Sequence, residues 1–340
     1  MEATVLQHVQ SGLQEKRKNL SGWLKNTPSD KKQRVMGPCC DEDVQEQIKT
    51  IDQSLSKIQD GSLGVCEVCH SYVDTDILEV DYTACVCLDH YTEQERRELE
   101  TELELSLAFQ RALLPQSAPA IPGLALTAFS RPAQILGGDY FDFIQYQDGL
   151  YGLAIADAVG HGVAASMYMT SLQTALRMLS PESNSPTEVL RQINRFYIHN
   201  VHMTSFLTVF LSRYDPVSHS LTYGNAGHNP PIVYRSEDGK VDWLQTTGAG
   251  LGFIENYSID PQTISLGLGD LIVLYTDGIV EATNAQGELF GYERLEKVII
   301  ENAPLSVQEI LRAVRQNLFD FAGEQPIADD TTVVIGRVNG

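Results

Sequence analysis

Basic residues are scarce in this chain: 24 Lys and Arg stand against 45 Asp and Glu over 340 residues, a formal net charge of −21. Nucleic acid is held mostly by neutralising its phosphates, so this balance argues against direct nucleic-acid binding as the main activity. No apolar run reaches the length of a membrane-spanning helix. The stretch from Met1 to Leu20 lacks the hydrophobic centre of a signal peptide, and a cytoplasmic location is expected. Cysteine does not occur outside Cys39–Cys87, which removes a disulfide framework for the chain as a whole. In a reducing compartment six cysteines confined to one segment suggest metal instead. Internal repeats and low-complexity tracts are missing as well.

Three regions are present. Residues 1–91 are polar, with two helical patterns and all the cysteines. Residues 92–117 form a linker rich in Glu, Arg and Leu, free of Gly and Pro until Pro115 ends its helix. Residues 118–340 change to short β-branched and aromatic runs separated by Gly, Asp, Asn and Pro. There "LALTAF", "YFDFIQY", "GLYGLAIAD", "FLTVFLSRY", "SLTYGNAG", "PPIVYR", "DLIVLYTDG" and "TTVVIGRV" read as strands. Val163–Leu179, Thr187–Val201 and Val307–Phe321 read as helices. Two of these helices fall together between early and late strands, so strict βαβ alternation fails. The expected class is α+β, with antiparallel sheets covered by helices.

Four aspartates sit at strand ends or tight turns: Asp139 in "GGDYFDF", Asp157 in "IADAVGHG", Asp277 in "LYTDGIVEA" and Asp329 in "ADDTTVV". Small neighbours leave room for a ligand, and strand ends fix the side chains. Any one of them could be a turn former. Four in this order point to a hard divalent cation, because clustered carboxylates repel one another without one. Oxygen donors favour Mg²⁺ or Mn²⁺ over Zn²⁺.

The motifs "PAQILGGDYFDF", "DAVGHGVAASM", "GHNPP", "LYTDGIVEA" and "ADDTT" resemble, in order, those of the SpoIIE/RsbU branch of the PPM family, metal-dependent serine/threonine protein phosphatases. The resemblance spans Leu113 to Val338. It implies an αββα sandwich with two Mn²⁺ or Mg²⁺ in a cleft at one edge, hydrolysing phosphoserine or phosphothreonine by water activation without a phosphoenzyme. It further implies that Asp157 bridges the ions and that the Ala158 carbonyl binds one of them. Asp277 and Asp329 would hold the other, and Asp139 would reach the site directly or through water. Asp142 is a lesser candidate, and Asp330 matches a position that is not usually a ligand. His161 is a candidate general acid, although it follows Asp157 by four residues where the wider family has two; a helix-start or packing role is the other reading. Arg131 reads as a solvated strand-edge residue. Asn225, His228 and Asn229 read as turn-shaping residues without chemistry.

Cys66-x-x-Cys69 followed by Cys87-x-x-His90 has the spacing of a structural tetrahedral Zn²⁺ site, with Cys85 and His70 as rival ligands. "IDQSLSKIQDGSLGVCEVCHSYV" with "ACVCLDH" resembles the DksA/TraR zinc-finger family. That implies an α-helical hairpin, with arms Val5–Leu24 and Asp41–Gln59 and a small zinc finger at its base. Val44, Ile48, Ile51, Leu55 and Ile58 recur at helical spacing and fit the hairpin interface. The family's best-known members reach into RNA polymerase with acidic tip residues, whereas this tip, "NTPSDKKQRVMGPCC", is mainly basic, with Asp30 its only acid. Cys39 and Cys40 at the tip are candidates for oxidant sensing.

In the linker, Leu99, Leu103, Leu107 and Leu114 lie along one helical face. A homodimer through a parallel coiled coil is one expectation, and packing on the chain's own domain is the other. The phosphatase resemblance also implies a substrate, a phosphorylated anti-anti-sigma factor of the STAS type. The alternative function is a zinc-finger transcription regulator contacting RNA polymerase, with the phosphatase domain secondary or inactive.

Overall fold

The computed structural model describes residues 9–10, 13–14, 17–18, 20–22, 24–25, 40–73, 85–87, 90, 92–133, 136–158, 162–201, 206–252, 254 and 257–339. His161 and the hairpin tip up to Cys39 lie outside the described residues. By internal contact the chain divides into two units, Met1–Thr101 and Glu102–Gly340.

In the first unit, the described residues between 9 and 25 are helical and α1 spans Cys40–Gln59. Ile51, Ile58 and Leu63 bury against Leu13, with Val9, Leu20 and Leu55 packed around them. Ile51, Leu55 and Ile58 are the last three residues of the stripe read from the sequence, and four- and three-residue steps keep them on one face. Arg17 and Asp52 pair between the helices.

The second unit begins within α2 (Glu93–Leu113). It continues through β1 (Leu124–Arg131), β2 (Asp139–Gln145), β3 (Tyr151–Ala158), α3 (Gly162–Leu179), α4 (Pro186–Phe196, followed by a π-turn to Val201), β4 (Leu207–Asp215) and β5 (Ser220–Ala226). Then come β6 (Ile232–Tyr234), β7 (Val241–Trp243), β8 (Gln262–Ser265), β9 (Leu271–Tyr275), the single turn α5 (Asp277–Val280), α6 (Gly291–Asn302), α7 (Val307–Ala322) and β10 (Thr331–Val338). Local signals set several ends. Ser185 caps α4 ahead of Pro186, and Ser306 with Glu309 forms a capping box on α7.

The strands form two five-stranded sheets, β1-β10-β9-β6-β7 and β2-β3-β4-β5-β8, with every strand pair antiparallel. Side-chain alternation then builds four layers. Phe141, Leu153, Ile155 and Phe210 face Ile272, Leu274 and Val334 between the sheets. Tyr140, Ala154 and Leu211 on the opposite face pack under α3 and α4. Leu271, Val273 and Tyr275 pack under α6 and α7. This is the α+β sandwich expected. The sequence patterns do not reveal α5, α6, β7 or β8. In α6 the run Val298-Ile299-Ile300 looks strand-like, but Leu295, Val298 and Ile299 recur at helical spacing and are the buried residues.

Candidate active site and Cys–His cluster

The mouth between the two sheets gathers the aspartates. Asp139 opens β2 and lies directly opposite Asp157 near the end of β3, so both side chains emerge on the same, inter-sheet face. Asp277 opens α5 just after β9, and Asp329 and Asp330 lead into β10. Thus two carboxylates come from each sheet, with Asp330 behind them. Ala158 closes β3, its N–H donating to the Gly138 carbonyl at 3.1 Å.

Electrostatics shows how unfavourable this gathering is without a cation. Burial, then Asp157 and Asp330, push the Asp139 carboxyl well above its usual range. Asp157 is pushed up to about 8 by burial, then by Asp277, Asp329, Asp330 and Glu281. Asp277 rises to about 6 by burial, then through Asp329 and Glu281. Among the described residues no Lys or Arg pairs with these four aspartates. Burying like charges without a partner is costly, so the set fits hard divalent ions. The carboxylates are more spread than donors around one ion: among the described residues, the group that converges within 4.8 Å is a different one, described below. Two ions about 3.5–4 Å apart would call for such a wider set.

Hydrogen bonds hold the cluster in place. Thr276 is fully buried; its hydroxyl donates to Asp139 Oδ2 at 2.7 Å and accepts from the Thr332 N–H at 3.0 Å. Asp330 accepts from the Ala133 and Gly138 N–H groups and so fixes the loop that enters β2. Gln110 near the end of α2 clasps the same loop, donating to the Gly137 carbonyl at 2.7 Å and accepting from its N–H at 3.2 Å. Asp142 does not join the site. Three residues beyond Asp139, it points to the other face of β2, where Arg177, the Tyr140 hydroxyl and the Phe143 N–H hold it. Arg131 lies over the Phe319 ring. Sequence reasoning did not single out Thr276 or Glu281, although both stand in the "LYTDGIVEA" motif beside Asp277.

A Cβ on Gly278 would lie 2.0 Å from the Asp330 carbonyl oxygen. Backbone meets backbone there, so no rotamer can relieve the clash. Gly278→Ala is therefore expected to part α5 from β10, cost about 2–4 kcal/mol of stability and lower divalent-ion affinity, as thermal melts with and without Mn²⁺ would show.

In the first unit, Cys66, Cys69, Cys87 and His90 bring one donor atom each within 4.8 Å of one another, and Cys85 and His70 are not in that set. Cys69 Sγ and Cys87 Sγ are 3.8 Å apart. Two Zn–S bonds of about 2.3 Å at the tetrahedral angle require about that separation. The Val68 and Cys87 N–H groups both donate to the Cys66 sulfur at 3.4 Å. The Cys69 thiol is drawn down to about 6, chiefly by His90, while burial and the other two sulfurs push Cys87 up to about 12. The donor set fits one Zn²⁺.

Two antiparallel sheets between helix layers, with carboxylates from both sheets at one mouth, define a PPM-type (PP2C-like) phosphatase. The model of the family "Stage II sporulation protein E (SpoIIE)" matches residues 147–339, and the chain belongs to that family. It is a serine phosphatase of the SpoIIE/RsbU kind. The chain is similar to phosphoserine phosphatase RsbU of Bacillus subtilis (strain 168), 32% identical over 244 residues that cover 71% of each protein. Two longer curated relatives are matched over 41% and 48% of their own length. Among solved structures, the RsbU and RsbW domains of Rv1364c from Mycobacterium tuberculosis align with TM-score 0.58 and 27% identity, covering 67% of this chain and 63% of that one. The SiaA-PP2C domain of Pseudomonas aeruginosa aligns with TM-score 0.63 and 20% identity, covering 73% of this chain and all of that one. Among the described residues, no helix is long and apolar enough to cross a membrane.

Proposed function

We propose that the protein removes phosphate from serine or threonine of a regulatory protein, using two Mn²⁺ or Mg²⁺ held by Asp139, Asp157, the Ala158 carbonyl, Asp277 and Asp329. The observation that carries this is the pairing of Asp139 with Asp157 on one sheet, facing Asp277 and Asp329 from the other, with no Lys or Arg paired to them among the described residues. The ions supply water activation and charge neutralisation at phosphorus. The chain's own residues do the positioning: Thr276 aims Asp139, Asp330 and Gln110 fix the loop before it, and the close approach at Gly278 seats Asp277 against β10. Arg131 lies over the Phe319 ring, and in this reading the phosphoryl charge is left to the ions.

The substrate we favour is a phosphorylated STAS-type anti-anti-sigma factor, supported by the sequence motifs and the similarity to RsbU. The first unit, in this reading, is a Zn²⁺-stabilised regulatory module resembling the DksA/TraR finger. α2 would carry its signal, since Gln110 grips Gly137 two residues before Asp139. Phosphate release from a phosphoserine STAS protein, with Mn²⁺ and with EDTA, tests the function. Sedimentation tests whether α2 also forms a homodimer.

The raised carboxyls fix a pH dependence. Asp157 near 8 and Asp277 near 6 lie above the unfolded value of about 4. Between those values the folded metal-free protein binds more protons than the unfolded chain, so its stability falls as pH rises from about 4 to 8. Divalent ions displace those protons. Calorimetry should therefore show a larger Mn²⁺-induced rise in Tm at pH 8 than at pH 6; an equal rise would contradict it.

A further inference from the structure

The chain crosses from one sheet to the other between Ala226, the end of β5, and Ile232, the start of β6. The crossing, Gly227-His228-Asn229-Pro230-Pro231, runs past the mouth where the aspartates gather. Gly227 has φ +69°, and a Cβ there would meet the Gly250 nitrogen at 2.9 Å, so the loop is pinned against its neighbour. The His228 N–H donates to Asn225 Oδ1 at 2.8 Å. Its ring is 2% exposed, Nδ1 is 2.8 Å from Thr208 Oγ1, and Nε2 makes no hydrogen bond of good geometry. Buried polar atoms are normally paired, and an exception calls for a reason.

The ring's two neighbours supply that reason. Thr208 on β4 lies directly opposite Asp157, and its Oγ1 is 3.4 Å from the Asp157 carbonyl oxygen. On the other sheet, the ring meets the backbone of Tyr275, two residues before Asp277. The Tyr275 hydroxyl in turn donates to the Pro230 carbonyl at 3.1 Å, tying β9 to the same crossing loop. The imidazole thus stands between the strand neighbour of Asp157 and the strand that delivers Asp277. Burial draws it down to about 4, so it is neutral at working pH and acts by shape and by the Nδ1 contact.

We propose that His228 is a positioning residue: a buried spacer between the sheets that sets the separation of Asp157 and Asp277, two of the carboxylates that would hold the ions. The proposal rests on the two-metal reading above. Asp157 stands on β3 of one sheet and Asp277 follows β9 of the other, and the hydrogen-bonded ladder within either sheet does not fix the distance between them. A side chain spanning the gap does. Histidine suits the place because its ring is flat enough to fit between Thr208 and Tyr275, and Nδ1 keeps the Thr208 hydroxyl oriented at the Asp157 peptide.

The test uses the full chain, Mn²⁺ alone as the probe, and the variants His228→Ala, His228→Asn and Thr208→Val. Wild type is expected to bind two Mn²⁺ with the electron paramagnetic resonance signature of a spin-coupled pair. In His228→Ala and Thr208→Val the coupled signal should weaken or vanish. Affinity for the second ion and kcat on an aryl phosphate should each fall by about 10–100-fold, with KM little changed. His228→Asn, whose amide can still reach Thr208 but not the Tyr275 strand, should recover only part of the loss. If His228→Ala fails to fold, Thr208→Val carries the test, because it removes only one half-buried hydroxyl. Wild-type coupling and affinity in the folded variants would overturn the proposal. If wild type itself bound no Mn²⁺ pair and turned nothing over, the two-metal reading would fall and the proposal with it, an outcome distinct from losses confined to the variants.

Discussion

Asp157→Asn is expected to lower Mn²⁺-dependent phosphate hydrolysis by on the order of a thousandfold while making the metal-free protein more stable. Both effects have one cause. Asp157 lies opposite Asp139 and feels Asp277, Asp329, Asp330 and Glu281, all carboxylates. Pushed up to about 8, Asp157 makes the folded apo protein take up a proton at neutral pH that the unfolded chain does not bind, and an amide of the same shape removes that cost. The same change takes away one of the proposed ion ligands, and ion affinity falls with it. A domain of this size gains roughly 2–4 °C in Tm per kcal/mol, which a melt in EDTA resolves. The pairing of lost turnover with raised apo Tm separates this outcome from misfolding, which would lower both. A variant retaining turnover within a few-fold of wild type would remove Asp157 from the centre of the site.

The second large effect is expected in the first unit. Its described core is small: Leu13, Ile51, Ile58 and Leu63 in one cluster, Cys66 and Val73 in another. Cores of that size rarely hold a fold without a staple. A structural Zn²⁺ in such a module contributes about 10–16 kcal/mol of apparent binding free energy at neutral pH. Removing it should therefore unfold the segment around Cys66–His90 outright. Metal analysis should find one Zn²⁺ per chain, and Cys66→Ser or a strong chelator should expose that segment to protease at least about tenfold faster. Cys66 is the most sensitive position because it is fully buried and its sulfur already accepts two backbone N–H groups. Equal protease resistance with and without metal would contradict the zinc assignment.

Much of this was legible in the sequence for identifiable reasons. Alternating β-branched and aromatic residues mark eight of the ten strands, because one face of each packs between the sheets. The aspartates stood out because small residues flank them at strand ends. What was missed depends on tertiary context. Thr276 immediately precedes Asp277 and sits at the N-cap of α5, where a threonine ordinarily caps locally. Here its side chain makes no cap hydrogen bond and turns instead to Asp139, 137 residues earlier. Asp142 and Asp139 look alike in sequence, and only the pleat sends one to the inter-sheet mouth and the other to Arg177. His228 read as part of a polar turn. Its burial becomes visible only when the two sheets close over it.

The most direct measurement of the central claim is hydrolysis of a chromogenic phosphate ester by the purified full chain, in Mn²⁺ and in EDTA, beside Asp157→Asn. The account predicts Mn²⁺-dependent turnover that EDTA abolishes and the variant lacks. Turnover that persists undiminished in EDTA, or in Asp157→Asn, would contradict it.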